Sequence, residues 1–153
     1  MRCALTIAGS DSVGGAGIEA DIKAMSSLDV HCCVAITAVT AQNTTAVESI
    51  YPMPIDMIQD QIEAVLKDVD VKAVKTGMLY SAEIAEMVAD LLEDHDMPLI
   101  IDPVLVAGVG DPLAKDDLVK AIKRKLIPIC ELITPNKHEA EVLSGLRINN
   151  EKD

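Results

Sequence analysis

The chain has 153 residues and a formal net charge of −12, from 13 basic and 25 acidic side chains. Half of it is hydrophobic, yet Phe and Trp are absent and only two Tyr occur, so a core must be built from Ala, Val, Ile, Leu and the seven Met. The length suits one domain, and the acidity argues against nucleic acid or an anionic membrane as partner, because clustered Lys and Arg hold both.

One dense basic stretch, Lys120, Lys123, Arg124 and Lys125, is too small to reverse that balance. The cysteines Cys3, Cys32, Cys33 and Cys130 form no C-x-x-C pair and read as reduced thiols, not as a disulfide frame or zinc site. The short apolar run Cys3 to Ala8 gives way to glycines and an Asp, unlike a signal peptide. No apolar stretch approaches the roughly 18 residues of a membrane helix. The expectation is a soluble, cytoplasmic protein with neither a membrane nor a nucleic-acid partner.

In chain order, Ala4 to Ala8 reads as a strand and Gly9 to Gly15 as a glycine-rich loop. Ile18, Ile22, Met25 and Leu28 follow at helical spacing. Val30 to Val39, β-branched and nearly free of charge, predicts a strand covered on both faces. Ile55, Ile58, Ile62, Val65 and Leu66 mark a second helix, and Ala73 to Thr76 a short strand. Ile84, Met87, Val88, Leu91 and Leu92 give a third helix, and Leu99 to Ile101 a strand ending at Asp102-Pro103. Leu118 to Ile127 is a helix, Leu132 to Thr134 a strand stopped by Pro135, and a last helix begins near Asn136. Strands and helices in alternation predict a parallel sheet with helices on its faces, and such sheets bind ligands at the carboxyl ends of their strands.

Four strand ends carry chemistry. The segment Gly9-Ser-Asp-Ser-Val-Gly14-Gly15-Ala-Gly17 is either a ligand cradle or a sharp turn. It is no Walker loop, which needs Lys and Ser/Thr after its second glycine, whereas Gly15 and Ala16 follow Gly14. Gly15, Gly17 and Ala20 meet G-x-G-x-x-A formally, but Ser10 to Gly14 intervene after Gly9 and no acid lies between Val30 and Ala41 to hold a ribose. Asp102 could orient a metal or cap backbone amides. Asn136 and Glu139, three apart at a helix start, could hold hydrated magnesium or form a capping box, and spacing alone favours the cap. Gln42, ahead of Asn43 and Thr44, offers a donor and an acceptor that suit the edge of an aminopyrimidine. His31, His95 and His138 suggest no metal site or triad.

Ala4-Leu-Thr-Ile-Ala-Gly-Ser-Asp-Ser, Gly14-Gly-Ala-Gly-Ile-Glu-Ala-Asp21, Thr37-Ala-Val-Thr-Ala-Gln-Asn-Thr44, Lys75-Thr-Gly-Met-Leu79, Asp102-Pro-Val and Leu132-Ile-Thr-Pro-Asn-Lys-His-Glu-Ala-Glu141 fall in one order. Together, from Ala4 to about Ile148, they resemble the hydroxymethylpyrimidine/phosphomethylpyrimidine kinases of thiamine biosynthesis, in the ribokinase-like superfamily. The resemblance implies a three-layer α/β fold, a mostly parallel sheet with helices on both faces. It implies an ATP- and Mg2+-dependent kinase that phosphorylates the pyrimidine's hydroxymethyl group and then the monophosphate. Gly9, Ala16, Gln42, Met78 and Val104 would line the pyrimidine pocket, with Asp21 and Asp102 as catalytic carboxylates near the phosphate. Asn136 and Glu139 match the superfamily's N-x-x-E, which organises nucleotide phosphates and magnesium, with Asp102 and Glu139 beside the metal.

Val13 stands where the family often has Ser, Glu19 where it often has Gln, and Ala107-Gly-Val-Gly-Asp111 lacks the usual Ser. The family's lysine-glycine-glycine strand and G-T-G-C turn have no counterpart here. Residues 1–153 are thus expected to form a single domain corresponding to the N-terminal, substrate-binding portion. The Leu132 to Thr134 strand, or a neighbour, would keep an open edge, for a second copy or a complementary chain. Two alternatives stand beside this reading: a non-catalytic pyrimidine-binding module and a pyridoxal kinase-like enzyme.

Overall fold

The computed structural model describes residues 1–105 and 116–150, so the Ala107 to Asp111 segment lies outside the described residues. Its frame is one six-stranded sheet, in the order β3-β2-β1-β4-β5-β6. The strands are β1 (Arg2–Asp11), β2 (Val30–Gln42), β3 (Val47–Pro52), β4 (Val71–Thr76), β5 (Leu99–Ile101) and β6 (Leu132–Ile133). All pairs are parallel except β2–β3, an antiparallel hairpin. The helices are α1 (Gly17–Ser27), α2 (Ile55–Asp68), α3 (Ala82–Leu92), α4 (Asp116–Ala121) and α5 (Lys137–Ser144).

Strand alternation decides what each helix covers. Leu5 and Ile7 of β1, Ala35 of β2 and Val74 of β4 join Ile58 and Ile62 of α2, Ile84 and Val88 of α3 and Leu118 of α4 in one aliphatic core. The intervening Thr6 and Lys75 point the other way, where both bond to Asp21 of α1. Right-handed crossovers demand this arrangement: α1 carries the chain from β1 to one neighbour, while α2 and α3 carry it the opposite way across the sheet. The order therefore reverses between β1 and β4, and the carboxyl ends of these two strands flank a crevice.

Three elements differ from the sequence reading. β1 continues through Gly9, Ser10 and Asp11, with a register shift against β2 between Ala8 and Ser10. β3 was not expected; Asn43 creates it, its Oδ1 accepting from the amides of Thr45 and Ala46 to turn the chain back along β2. The helix expected over Leu118 to Ile127 leaves α geometry at Ile122, and the Ile127 amide donates to Ile122 five residues back. Pro128 lacks the N–H that a continuing helix needs. The basic stretch on this segment is partly neutralised, since Arg124 pairs with Glu86 at 2.8 Å and Lys125 with Asp90 at 2.9 Å, both on α3. No helix among the described residues is long and apolar enough to cross a membrane.

Candidate active site

The loop after β1 is built around one carboxylate. Asp11 Oδ1 accepts from the amide of Val13 at 2.9 Å, and Oδ2 from those of Gly15 at 2.9 Å and Ala16 at 3.0 Å. Glu19, in the first turn of α1, reaches back to accept from the Ser10 hydroxyl at 2.6 Å and the Asp11 amide at 2.8 Å. A carboxylate, which only accepts, satisfies both donors, so the departure at position 19 has a local use. Ser12 closes the far side: its hydroxyl donates to the Gln42 carbonyl at 2.6 Å and accepts from the Gln42 amide at 2.8 Å. With the amides of Val13, Gly15 and Ala16 turned onto Asp11, the loop serves as a rigid wall and those three do not cradle a phosphate. Gly17 then starts α1 at φ +59°, its Cα packed against the Gly9 carbonyl.

This wall borders a cavity of about 230 Å³ at the β1/β4 crevice, the scale of a single small ring. Gly9, Ala16, Asp21, Gln42, Met78, Asp102 and Val104 all line it, joined by Thr40, Val47 and Lys75. Each comes from a strand end or the helix start beside it. The Met78 carbonyl is fixed by the Thr37 hydroxyl at 2.6 Å, and a side chain at Gly9 would collide with the Met78 methyl.

The cavity floor carries a charge cluster. Lys75 Nζ lies 3.0 Å from Asp21 Oδ2 and 3.6 Å from Asp102 Oδ2. Asp21 Oδ2 also accepts from the Thr6 hydroxyl at 2.5 Å. Asp21 is thus held twice and is 17% exposed, whereas Asp102 is 38% exposed and faces the cavity more freely. The sequence reading gave Lys75 no role. Its signal was a lysine inside a strand covered on both faces, where a charge needs a partner. The cluster also reaches Cys32: burial, and after it the nearby Asp21, push this thiol up from 9.0 to about 11, with Lys75 acting in the opposite direction.

Asn136 and Glu139 do not line the cavity. They follow β6 at the same end of the sheet and form a reciprocal capping box, Asn136 Oδ1 accepting from the Glu139 amide at 2.9 Å and Glu139 Oε2 from the Asn136 amide at 2.8 Å. Glu139 is only 5% exposed. Among the described residues no three His, Cys, Asp or Glu side chains gather as a metal site.

The cavity can be set beside known proteins. A family model for phosphomethylpyrimidine kinase matches residues 11–153. The chain is 51% identical over 149 residues to a hydroxymethylpyrimidine/phosphomethylpyrimidine kinase of Haemophilus influenzae, covering 97% of this chain and 55% of that one. It is 48% identical over 151 residues to the Bacillus subtilis kinase of the same name, covering 98% and 56%. Among solved structures, phosphomethylpyrimidine kinase from Clostridium difficile superposes with a TM-score of 0.92 at 40% identity, over 99% of this chain and 66% of that one. A pyridoxal kinase from Staphylococcus aureus in complex with pyridoxal gives 0.89 at 34% identity, over 99% and 57%. The chain spans about half the length of the curated relatives it matches. On sequence and fold alike, this half-length chain belongs to the phosphomethylpyrimidine kinase family.

Proposed function

We propose that the chain is the pyrimidine-binding portion of an ATP-dependent kinase acting on hydroxymethylpyrimidine and its monophosphate, working in the cytoplasm as one domain over residues 1–153. The observation that carries this reading is the convergence of Gly9, Ala16, Asp21, Gln42, Met78, Asp102 and Val104 on one ring-sized cavity. The ring would lie between Met78 and Val104, with the Gln42 amide on its edge. The hydroxymethyl group would point to the floor, where Asp102, the more open carboxylate, can accept its hydrogen bond.

Phosphoryl transfer rests on alignment and on neutralising charge. ATP use is supported by Staphylococcus aureus pyridoxal kinase structures in complex with ADP and AMP-PCP. Magnesium commonly keeps waters and nucleotide phosphates and takes only one or two carboxylates, which the partly open Asp102 carboxylate at the cavity floor fits. Asp102 would supply one carboxylate. Glu139, with Asn136 on the nucleotide side, would supply a second only where its capping bonds loosen. The ion would neutralise charge on the phosphates.

Among the described residues β6 pairs with β5 alone and forms an edge of the sheet. An open edge is a template for another strand, and we assign it to a complementary chain or a second copy. Light scattering with limited proteolysis tests this, and a monodisperse monomer that resists proteolysis would refute it.

Calorimetric titration with hydroxymethylpyrimidine tests the pocket. Saturable binding that is lost in Gln42→Ala is expected; no binding to the unmutated chain would overturn the reading.

A further inference from the structure

We propose that Lys75 determines specificity between the two forms of the ligand: its ammonium receives the phosphate of the monophosphate, a role the neutral alcohol does not call on. This rests on the pyrimidine reading above. Lys75 is the only cationic side chain among the residues described around the cavity, which also holds Asp11, Asp21 and Asp102. Asp11 is committed to the loop amides. Without Lys75, a phosphomonoester carrying a charge of about −1.5 to −2 would face two cavity carboxylates with no countercharge among the described lining residues.

The geometry leaves the ammonium able to serve. Of its three donors, one is engaged with Asp21 at 3.0 Å, while Asp102 at 3.6 Å lies beyond hydrogen-bonding distance. Gly77 keeps the approach clear: a Cβ there would stand 3.0 Å from Lys75 Nζ and 2.9 Å from the Ala8 Cβ. A lysine presents a compact point charge that meets a phosphate from several directions, as suits a group that must turn from Asp102 to the incoming anion. Lysine and glycine at the end of β4 thus act as a unit, one supplying charge and the other the room beside it.

The test measures both ligands, hydroxymethylpyrimidine and its monophosphate, by calorimetry without magnesium at low ionic strength. It compares the unmutated chain with Lys75→Met and Lys75→Arg. In Lys75→Met the ratio of affinities is expected to shift about 10- to 100-fold toward the alcohol, the range for losing a hydrogen bond to a charged group. Lys75→Arg should recover most of that ratio. A structural lysine would weaken both ligands in parallel, and that result, or an unchanged ratio, overturns the assignment. If Lys75→Met does not fold, the same comparison in Lys75→Gln, which keeps a donor toward Asp21 without the charge, must still show the shift. An unmutated chain that binds the alcohol but not the monophosphate overturns the Lys75 role alone. Binding of neither ligand overturns the pyrimidine reading and this role with it.

Discussion

Gly17 and Gly9 meet backbone against backbone: a Cβ on Gly17 would overlap the Gly9 carbonyl oxygen, and Gly17 itself sits at φ +59°. This contact brings the start of α1 onto the end of β1 and so sets one side of the cavity. Gly17→Ala meets both penalties, about 1–2 kcal/mol for the left-handed conformation and about 1–3 kcal/mol for forced displacement in a packed region. Urea denaturation should show a loss of about 2–5 kcal/mol. A change below about 0.5 kcal/mol would mean that the helix start relaxes freely.

Thr76 ends β4 fully buried, and among the described residues its Oγ1 has no hydrogen-bond partner. A buried hydroxyl left unpaired costs about 1–3 kcal/mol, and valine replaces it with a methyl of similar shape. Thr76→Val is therefore expected to stabilise the chain by about 1 kcal/mol, raising the melting midpoint by about 2–4 °C at this size. Destabilisation of similar size would show that the hydroxyl finds a partner in solution.

Much of this frame was legible in the residues. The β-branched run of β2 and the stripe of α3 announce themselves because burial on both faces, or on one helical face, leaves a periodic apolar trace. β3 left none: Val47, Glu48, Ser49, Ile50 and Tyr51 form an edge whose hairpin depends on the Asn43 side chain, a contact invisible to periodicity. Gly9, Gln42 and Met78 could be named by motif, but Lys75 gained meaning only when the sheet set α1 above β4 and brought Asp21 across to it. Asn136 and Glu139 posed the reverse problem, because one spacing serves both a cap and a ligand site, and the fold displays the cap.

That ambiguity can be separated by experiment. Asn136→Ala removes the cap and should cost about 1 kcal/mol in stability, while Asn136→Ser, another good capping residue, should stay within a few tenths. Any loss of nucleotide binding in the serine variant, measured on a folded protein, then reports on the amide as a ligand group. Equal destabilisation by both variants would contradict the capping geometry.

The thiol of Cys32 offers a pH-dependent probe. Burial, reinforced by Asp21, raises it from 9.0 to about 11, so near pH 8 its thiolate is about 100-fold scarcer than in the unfolded chain. The folded state binds this proton more tightly. The resulting stability is complete below about pH 9 and is lost as pH rises through about 11. Alkylation of Cys32 by iodoacetamide in the native protein should be correspondingly slow and accelerate about tenfold per pH unit up to that range. Reaction at the rate of the denatured chain at pH 8 would count against it.

The clasp between Ser12 and Gln42 has a consequence for affinity. Because one hydroxyl holds both the N–H and the C=O of Gln42, the loop and the end of β2 are already joined before any ligand arrives. Ordering backbone costs about 1–2 kcal/mol per residue, whereas immobilising a single side chain costs about 0.5–1.5 kcal/mol. The entropy of joining this loop to the end of β2 is therefore met during folding, and a ligand of the proposed kind would leave that part of the recess already ordered.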